Sequence, residues 1–280
     1  MIRPDPRFDW LADIGLATGP PDLRMGTRAL DTAQWLRPDS FTADELVLRS
    51  DLLQEHTGLI QVGPNARDAV EELYEFVETH LDRELGAGRD PFEQLSTLAC
   101  SVPDDFLIMG RHDDFWRLIG GCLVFPNHWT IAEKMNLTLA EIHVGVDGYQ
   151  ELLAEKMDRF FDRINVDRPV WRRNWFLHDD PSLFKPGRQT RRMCGGPSEA
   201  ATLWVRSEWQ VVRRLPKTDT IVFTVKSQVA PLREIKLRPD AAIGMQDFLR
   251  AASERSLLNK DAVGRDRAVI GYLSNDYQSH

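Results

Sequence analysis

The chain reads as an α+β protein. An antiparallel five-stranded sheet carries its helices on one face, with a helical extension in front and a C-terminal helix behind. Three observations predict this. Two apolar runs, residues 105–111 and 115–125, flank the polar His112-Asp113-Asp114, the pattern of a β-hairpin. Three more strand-like runs follow at 170–177, 201–215 and 220–229. Before and between the two groups, apolar residues recur at three and four, the period of a helix.

Residues 1–38, rich in Pro, Gly and Asp, are expected as an extended arm anchored by Trp10 and Trp35. A helix opens at Thr42, with Glu45 three residues on as in a capping box, and buries Leu46, Leu48, Leu52 and Leu53. Residues 66–85 form a clearer amphipathic helix through Ala69, Val70, Leu73, Phe76, Val77 and Leu81, stopped by Gly86-Ala87-Gly88. Pro126 closes the hairpin. Short helical pieces at 130–134 and 139–142 lead to a stronger helix at 150–164. In the last strand Ile221, Phe223 and Val225 face one way, and Val222, Thr224, Lys226 and Gln228 the other. Pro216-Lys217-Thr218-Asp219 makes the preceding turn. A final helix covers 244–258, and the tail from 272 is polar. The organisation is an N-terminal arm and helical extension (1–100), a central core (101–235) and a C-terminal helix with tail (236–280), parts of one compact unit.

Hydrophobic residues make up 42% of 280, enough for a sizeable core, and the formal charge is −8. That balance excludes non-specific nucleic-acid binding, which needs cations against phosphates. The three cysteines, Cys100, Cys122 and Cys194, have no metal-site or disulfide-framework spacing, and no stretch is long and apolar enough for a membrane helix or a signal peptide. A cytoplasmic protein is expected, with no nucleic-acid or membrane partner. The chain has no Gly-x-Ser-x-Gly elbow, no phosphate loop, no dinucleotide fingerprint and no iron–sulfur cysteine spacing.

Residues 125–149, FPNHWTIAEKMNLTLAEIHVGVDGY, carry the strongest motif. Phe125-Pro126, Trp129, Ala132-Glu133-Lys134, Ile142-His143 and Gly148-Tyr149 follow in the order and spacing of a signature of the haem-dependent oxidative N-demethylase family. Further matches are Met25-Gly26 with Arg28 and Trp35, then Arg172-Arg173-Asn174-Trp175. Arg206, Glu208 and Gln210 before Arg213-Arg214-Leu215-Pro216, and Ile221 to Val225, complete them. The chain resembles that family over roughly residues 25 to 232. It departs at His128, where the family often has Ser or Arg, and at Trp209 and Lys226, where it usually has Arg. Ser227-Gln228 replaces a Thr-Tyr pair.

The resemblance implies a PAS-like core and a haem b enzyme that oxidatively demethylates a small secondary amine such as dimethylamine, using O2. It implies partner subunits carrying flavin mononucleotide and a 2Fe–2S cluster, fed by NADPH, and a folate-binding subunit that captures formaldehyde. His143 becomes the expected iron ligand, because a neutral imidazole suits haem iron. From spacing alone it reads as a structural histidine. His128 is the competing ligand. Asn174 and Trp175 are expected beside the cofactor, although a turn bond and core packing would explain them equally. Arg206, Glu208 and Lys226 are expected to act on oxygen and the amine, with a Glu208–Lys226 pair satisfying both charges. Ordinary cross-strand ion pairs on a solvated face are the plainer alternative.

Two other functions stay open: a haem-binding PAS sensor or binding protein, and an oxygenase of the same fold acting on a different nitrogen compound, which Lys226 and Gln228 would favour. His112-Asp113-Asp114 and His178-Asp179-Asp180 have the ligand types of a two-His, one-carboxylate metal site, but both fall at strand ends, where Asp serves turns. Cys194, beside Arg191-Arg192, reads as a surface-loop cysteine whose neighbours would favour a thiolate. The basic residues Lys185, Arg188, Arg191 and Arg192 could dock an acidic electron-transfer protein.

Overall fold

The computed structural model describes residues 3–14, 26–146, 148–187 and 192–274. Met25, Arg188, Arg191 and the tail beyond residue 274 lie outside the described residues. The strands are β1 (Arg28–Ala29), β2 (Ile60–Val62), β3 (Asp104–His112), β4 (Phe115–Cys122), β5 (Val170–His178), β6 (Trp204–Arg214) and β7 (Ile221–Pro231). They form one open sheet in the order β1-β5-β6-β7-β3-β4-β2, antiparallel throughout. The five predicted strands are its centre. The sheet has seven strands because the N-terminal extension, expected to be all helical, adds a short strand to each edge. Strands of two and three residues are too short to show alternation.

The helices are α1 (Thr42–Glu55), α2 (Arg67–Leu81), α3 (Pro91–Ser101), α4 (Ile131–Lys134), α5 (Leu139–Ile142), α6 (Tyr149–Leu152), α7 (Ala154–Arg163), α8 (Pro197–Ala200), α9 (Leu232–Lys236), α10 (Pro239–Ala251), α11 (Glu254–Leu258) and α12 (Asp266–Ser274). Among the described residues no helix is long and apolar enough to cross a membrane. Asp90 caps α3, with Pro91 at its first turn, a start signal overlooked in the sequence. The stretch expected as one helix at 150–164 breaks at Leu153. The capping box at Thr42 does not form. Asp39 takes that role by accepting the Phe41 N–H (2.9 Å), and Glu45 is buried instead, its carboxyl pushed up to about 7 by desolvation.

Helices cover both faces of the sheet rather than one. Val212, Ile221, Leu107 and Met109 pack with α4, α5 and α7. On the reverse face Val211, Val222, Phe106 and Ile108 pack with Trp35 and α1 to α3, and Trp175, Val205 and Ala230 pack with α9, α10 and α12. Strands buried on both sides read as continuous apolar runs, as β3 does over Phe106–Met109, so the pattern does not reveal which face is covered. Gly121, at φ 147°, lets β4 fit between its neighbours, since a Cβ there would lie 2.1 Å from the Phe106 carbonyl oxygen.

A buried ion pair ties the extension to this sheet. Arg49 of α1 donates to the carbonyls of Ala99 (2.6 Å) and Asp104 (2.8 Å) and to Asp105 (2.9 Å), with its side chain fully buried. Asp105 in turn accepts the N–H groups of Val124 and Phe125 at 2.7 and 3.1 Å. One charge pair thereby fixes α1, α3, β3 and the Phe125-Pro126 corner from which the signature segment departs.

Candidate functional site

The signature segment forms α4 to α6 over one face of the sheet. α5 opens with a complete capping box: Thr138 N–H donates to Glu141 (2.8 Å), and Glu141 N–H to the Thr138 hydroxyl (3.2 Å). Lys134 closes its other end by donating to the Ile142 carbonyl at 2.9 Å. His143 follows as the C-cap residue. Its Nδ1–H donates to the Leu139 carbonyl at 2.7 Å, because a carbonyl can only accept. That fixes the tautomer and leaves Nε2 with a lone pair and no hydrogen bond among the described residues.

The ring stacks on Tyr149 at 4.1 Å and 8°. Tyr149 follows Gly148, which sits at φ 79°, where a Cβ would come 2.4 Å from Arg255 Nη1. The Gly-Tyr pair of the motif is therefore a steric device for presenting the ring under His143. Burial, with help from Arg172 and Lys134, lowers the His143 pKa to about 4. The imidazole is neutral at physiological pH, the form that ligates a metal.

Below His143 the sheet presents Arg172 and Asn174 of β5 and Glu208 and Gln210 of β6. Their register, Arg172 opposite Gln210 and Asn174 opposite Glu208, sets them on one face. Arg172 is desolvated, which lowers its pKa, and makes no hydrogen bond or ion pair among the described residues. Lys260 reaches over the β5 edge and donates to Asn174 Oδ1. Burial beside Arg172 brings Lys260 down to about 7. Sequence reasoning missed it, because a single Lys in a C-terminal loop carries no signal until the chain folds back along β5.

Arg206 is fully buried and donates to the carbonyls of Leu183 (2.9 Å) and Phe125 (2.6 Å) and to the Ser227 hydroxyl (2.9 Å). Its Nε lies 3.7 Å from Glu208, which also accepts from Gln210 at 2.8 Å. Arg206 is thus a positioning residue, held by the main chain and aimed at Glu208.

Lys226 and Trp175 lie elsewhere. Lys226 is opposite Trp209 in register, one residue out of phase with Glu208, so it projects from the reverse face. There it pairs with Asp39 at 2.9 Å and donates to the Arg37 carbonyl, while Gln228 donates to Asp39 at 2.7 Å. The expected Glu208–Lys226 pair does not form. Trp209 stacks on Trp171 at 4.0 Å on that same reverse face. Trp175 follows the same parity and packs edge-on against Phe248 at 5.2 Å, in the core under α10. Alternation holds within each strand, but the relative phase of two strands is set only by their register.

His128 stands away from His143. At φ 67° its Nδ1–H donates to the Gly187 carbonyl (3.1 Å), and its ring lies 5.6 Å from that of His178. His112 pairs with Asp113 (2.9 Å) at an exposed turn whose two Asp residues both have positive φ. Cys194 is buried rather than in a surface loop, and desolvation raises its thiol pKa although Arg265 and Arg192 oppose the shift. Lys185 is buried and paired with Asp180 at 2.7 Å.

The neutral His143 and the two desolvated cations, Arg172 and Lys260, fit a planar, dianionic metal cofactor such as haem b, whose two propionates need cationic partners. A family model described as haem-dependent oxidative N-demethylase, alpha subunit-like, matches residues 78–269, from α2 to α12.

Proposed function

We propose, from the premise that the chain belongs to the haem-dependent oxidative N-demethylase alpha-subunit-like family, that it demethylates a small secondary amine such as dimethylamine with O2. The family is one of oxidoreductases, and its alpha-subunit designation implies a multi-subunit oxidase. The observation that carries the reading is His143, with Nδ1–H fixed on a carbonyl, and Nε2 neutral and without a hydrogen bond among the described residues. It would hold the iron, and Arg172 and Lys260 would meet the propionates. Haem, when bound, supplies the reductive activation of dioxygen.

The chain's own part is placement. Glu208 accepts an N–H of the alkylammonium, a charge-assisted contact that orients the methyl group. Arg206 and Gln210 keep that carboxylate in place. Leu107, Met109, Val212 and Phe223 make the neighbouring face of the sheet apolar and exclude water. The products would be a primary amine and formaldehyde. The electron pair would come from NADPH through a partner subunit bearing flavin mononucleotide and a 2Fe–2S cluster, and a folate-binding partner would take the formaldehyde. The five central strands support reading this core as PAS-like, and three free cysteines suit the cytoplasm. Lys226 and Gln228, which favoured a different nitrogen compound, are held by Asp39 on the reverse face, so that alternative has lost its observation.

Hemin added to the purified protein is expected to give a Soret band that shifts with dimethylamine, and O2 with a reductant is expected to release formaldehyde. No Soret band would withdraw the haem reading. A band without amine shift or formaldehyde would withdraw the demethylase and favour the sensor. Glu208→Gln keeps haem but weakens the amine-induced shift roughly 10- to 100-fold, the worth of one hydrogen bond to a charged group. An unchanged amine titration would remove Glu208 from the site.

A further inference from the structure

His178 is the unexplained residue of this fold. It ends β5, is only 3% exposed, and neither ring nitrogen has a hydrogen-bond partner among the described residues. Buried polar atoms are rarely left so, and each instance needs a reason. The ring is aimed at two other ligand groups. One ligand atom each from His178, His128 and Asp261 lies within 4.8 Å of the others, and His128 Nε2 is 4.0 Å from Asp261 Oδ2.

We infer that His128, His178 and Asp261 form a second metal site, for a divalent first-row ion of the zinc or ferrous class, separate from the haem held by His143. Two imidazoles and a carboxylate are the ligand set such ions take when a coordination position is left open. The His128 Nδ1–H donates to the Gly187 carbonyl, the outer hydrogen bond that turns a ring's other nitrogen into a ligand. His178 is kept neutral by burial. A tetrahedral zinc site has ligand atoms about 3.3 Å apart, so an ion would draw these three together by side-chain rotation.

The surrounding charge permits a dication. Arg206, Lys185 and Arg265 lie near His178, but Lys185 is paired with Asp180 (2.7 Å), Arg265 with Asp179 (2.8 Å), and Arg206 stands 3.7 Å from Glu208. His128 and Asp261 both hold positive φ, 67° and 55°, a backbone strain that collects at functional sites. His178 and Arg172 are six residues apart on β5, about 20 Å of strand, with Lys260, bonded to Asn174, between them.

The test is titration of the full-length protein, with and without hemin, with Co2+ as a spectroscopic probe and Zn2+ as competitor. One equivalent of Co2+ should give visible bands of a low-coordinate ion, displaced by Zn2+. His128→Asn, which tolerates positive φ, should weaken Co2+ at least roughly 10- to 100-fold and leave the Soret band unchanged. His178→Gln should do the same; His128→Asn carries the test if that buried variant fails to fold. No Co2+ binding by the unaltered protein, unchanged binding in His128→Asn, or loss of the Soret band in that variant would each overturn the inference, the last by making His128 a haem ligand.

Discussion

Alanine at position 143 will give a folded protein that has lost its haem. The side chain's own bonds are one hydrogen bond to Leu139 and one stacking contact on Tyr149, together worth about 1–3 kcal/mol. The turn that holds them is independently fixed by the Thr138–Glu141 capping box and by Lys134. Stability should therefore fall modestly, while haem affinity falls by at least roughly 100-fold. Free imidazole should restore the band by filling the vacated position. Circular dichroism and the Soret absorbance of hemin-titrated protein check both halves. A normal five-coordinate spectrum in this variant would remove His143 as the ligand.

The same residue sets a pH dependence. Its folded pKa is lowered to about 4 by burial, against about 6.5 for an exposed ring. Between these values the unfolded chain binds the proton and the folded one does not, so the stability from this group is present above pH 6.5 and is lost as pH falls towards 4. Asp104 and Glu45, raised to about 7 by burial, act in the opposite sense over nearly the same window. Overall stability therefore does not report His143, whereas the Soret band does. Haem should stay bound down to at least about pH 4, because iron competes with the proton for the ring, and release centred near 6.5 would show that the ring is not desolvated.

The largest stability effect is expected at Arg49. Arg49→Met leaves Asp105 charged and unpaired where its side chain is 1% exposed, and breaking a buried pair in this way costs about 3–5 kcal/mol. The loss should appear as a lower urea midpoint with an unchanged slope. Because Asp105 also accepts the Val124 and Phe125 N–H groups, haem affinity should drop too, through the loosened Phe125-Pro126 corner. A midpoint within the spread of surface substitutions would show that the pair is not what joins α1 to the sheet.

Most of the sheet was legible because strand formation is a local property. The hairpin at Asp113-Asp114, the strands around Asn174, Glu208 and Phe223, and the short α4 and α5 are all written in alternation, turn residues and caps. α12 and the two edge strands were not legible, since they are short and stabilised by what they pack on. His143 was legible only through the motif around it, because a lone histidine has no periodicity.

By itself the sequence determined the class of the fold, the chain order of its central strands and, through the signature at 125–149 with its companion motifs, the family. Only the tertiary structure decided which charges meet. Register put Glu208 with Asn174 and sent Lys226 and Trp175 to the reverse face. The C-terminal chain, laid along β5, brought Lys260 to Asn174 and Asp261 to His128 and His178. The physical reason is range. Propensity and alternation act over a few residues, whereas charge pairing and ligand geometry act across long gaps in the chain, such as the 86 residues between Asn174 and Lys260, closed only when the sheet forms.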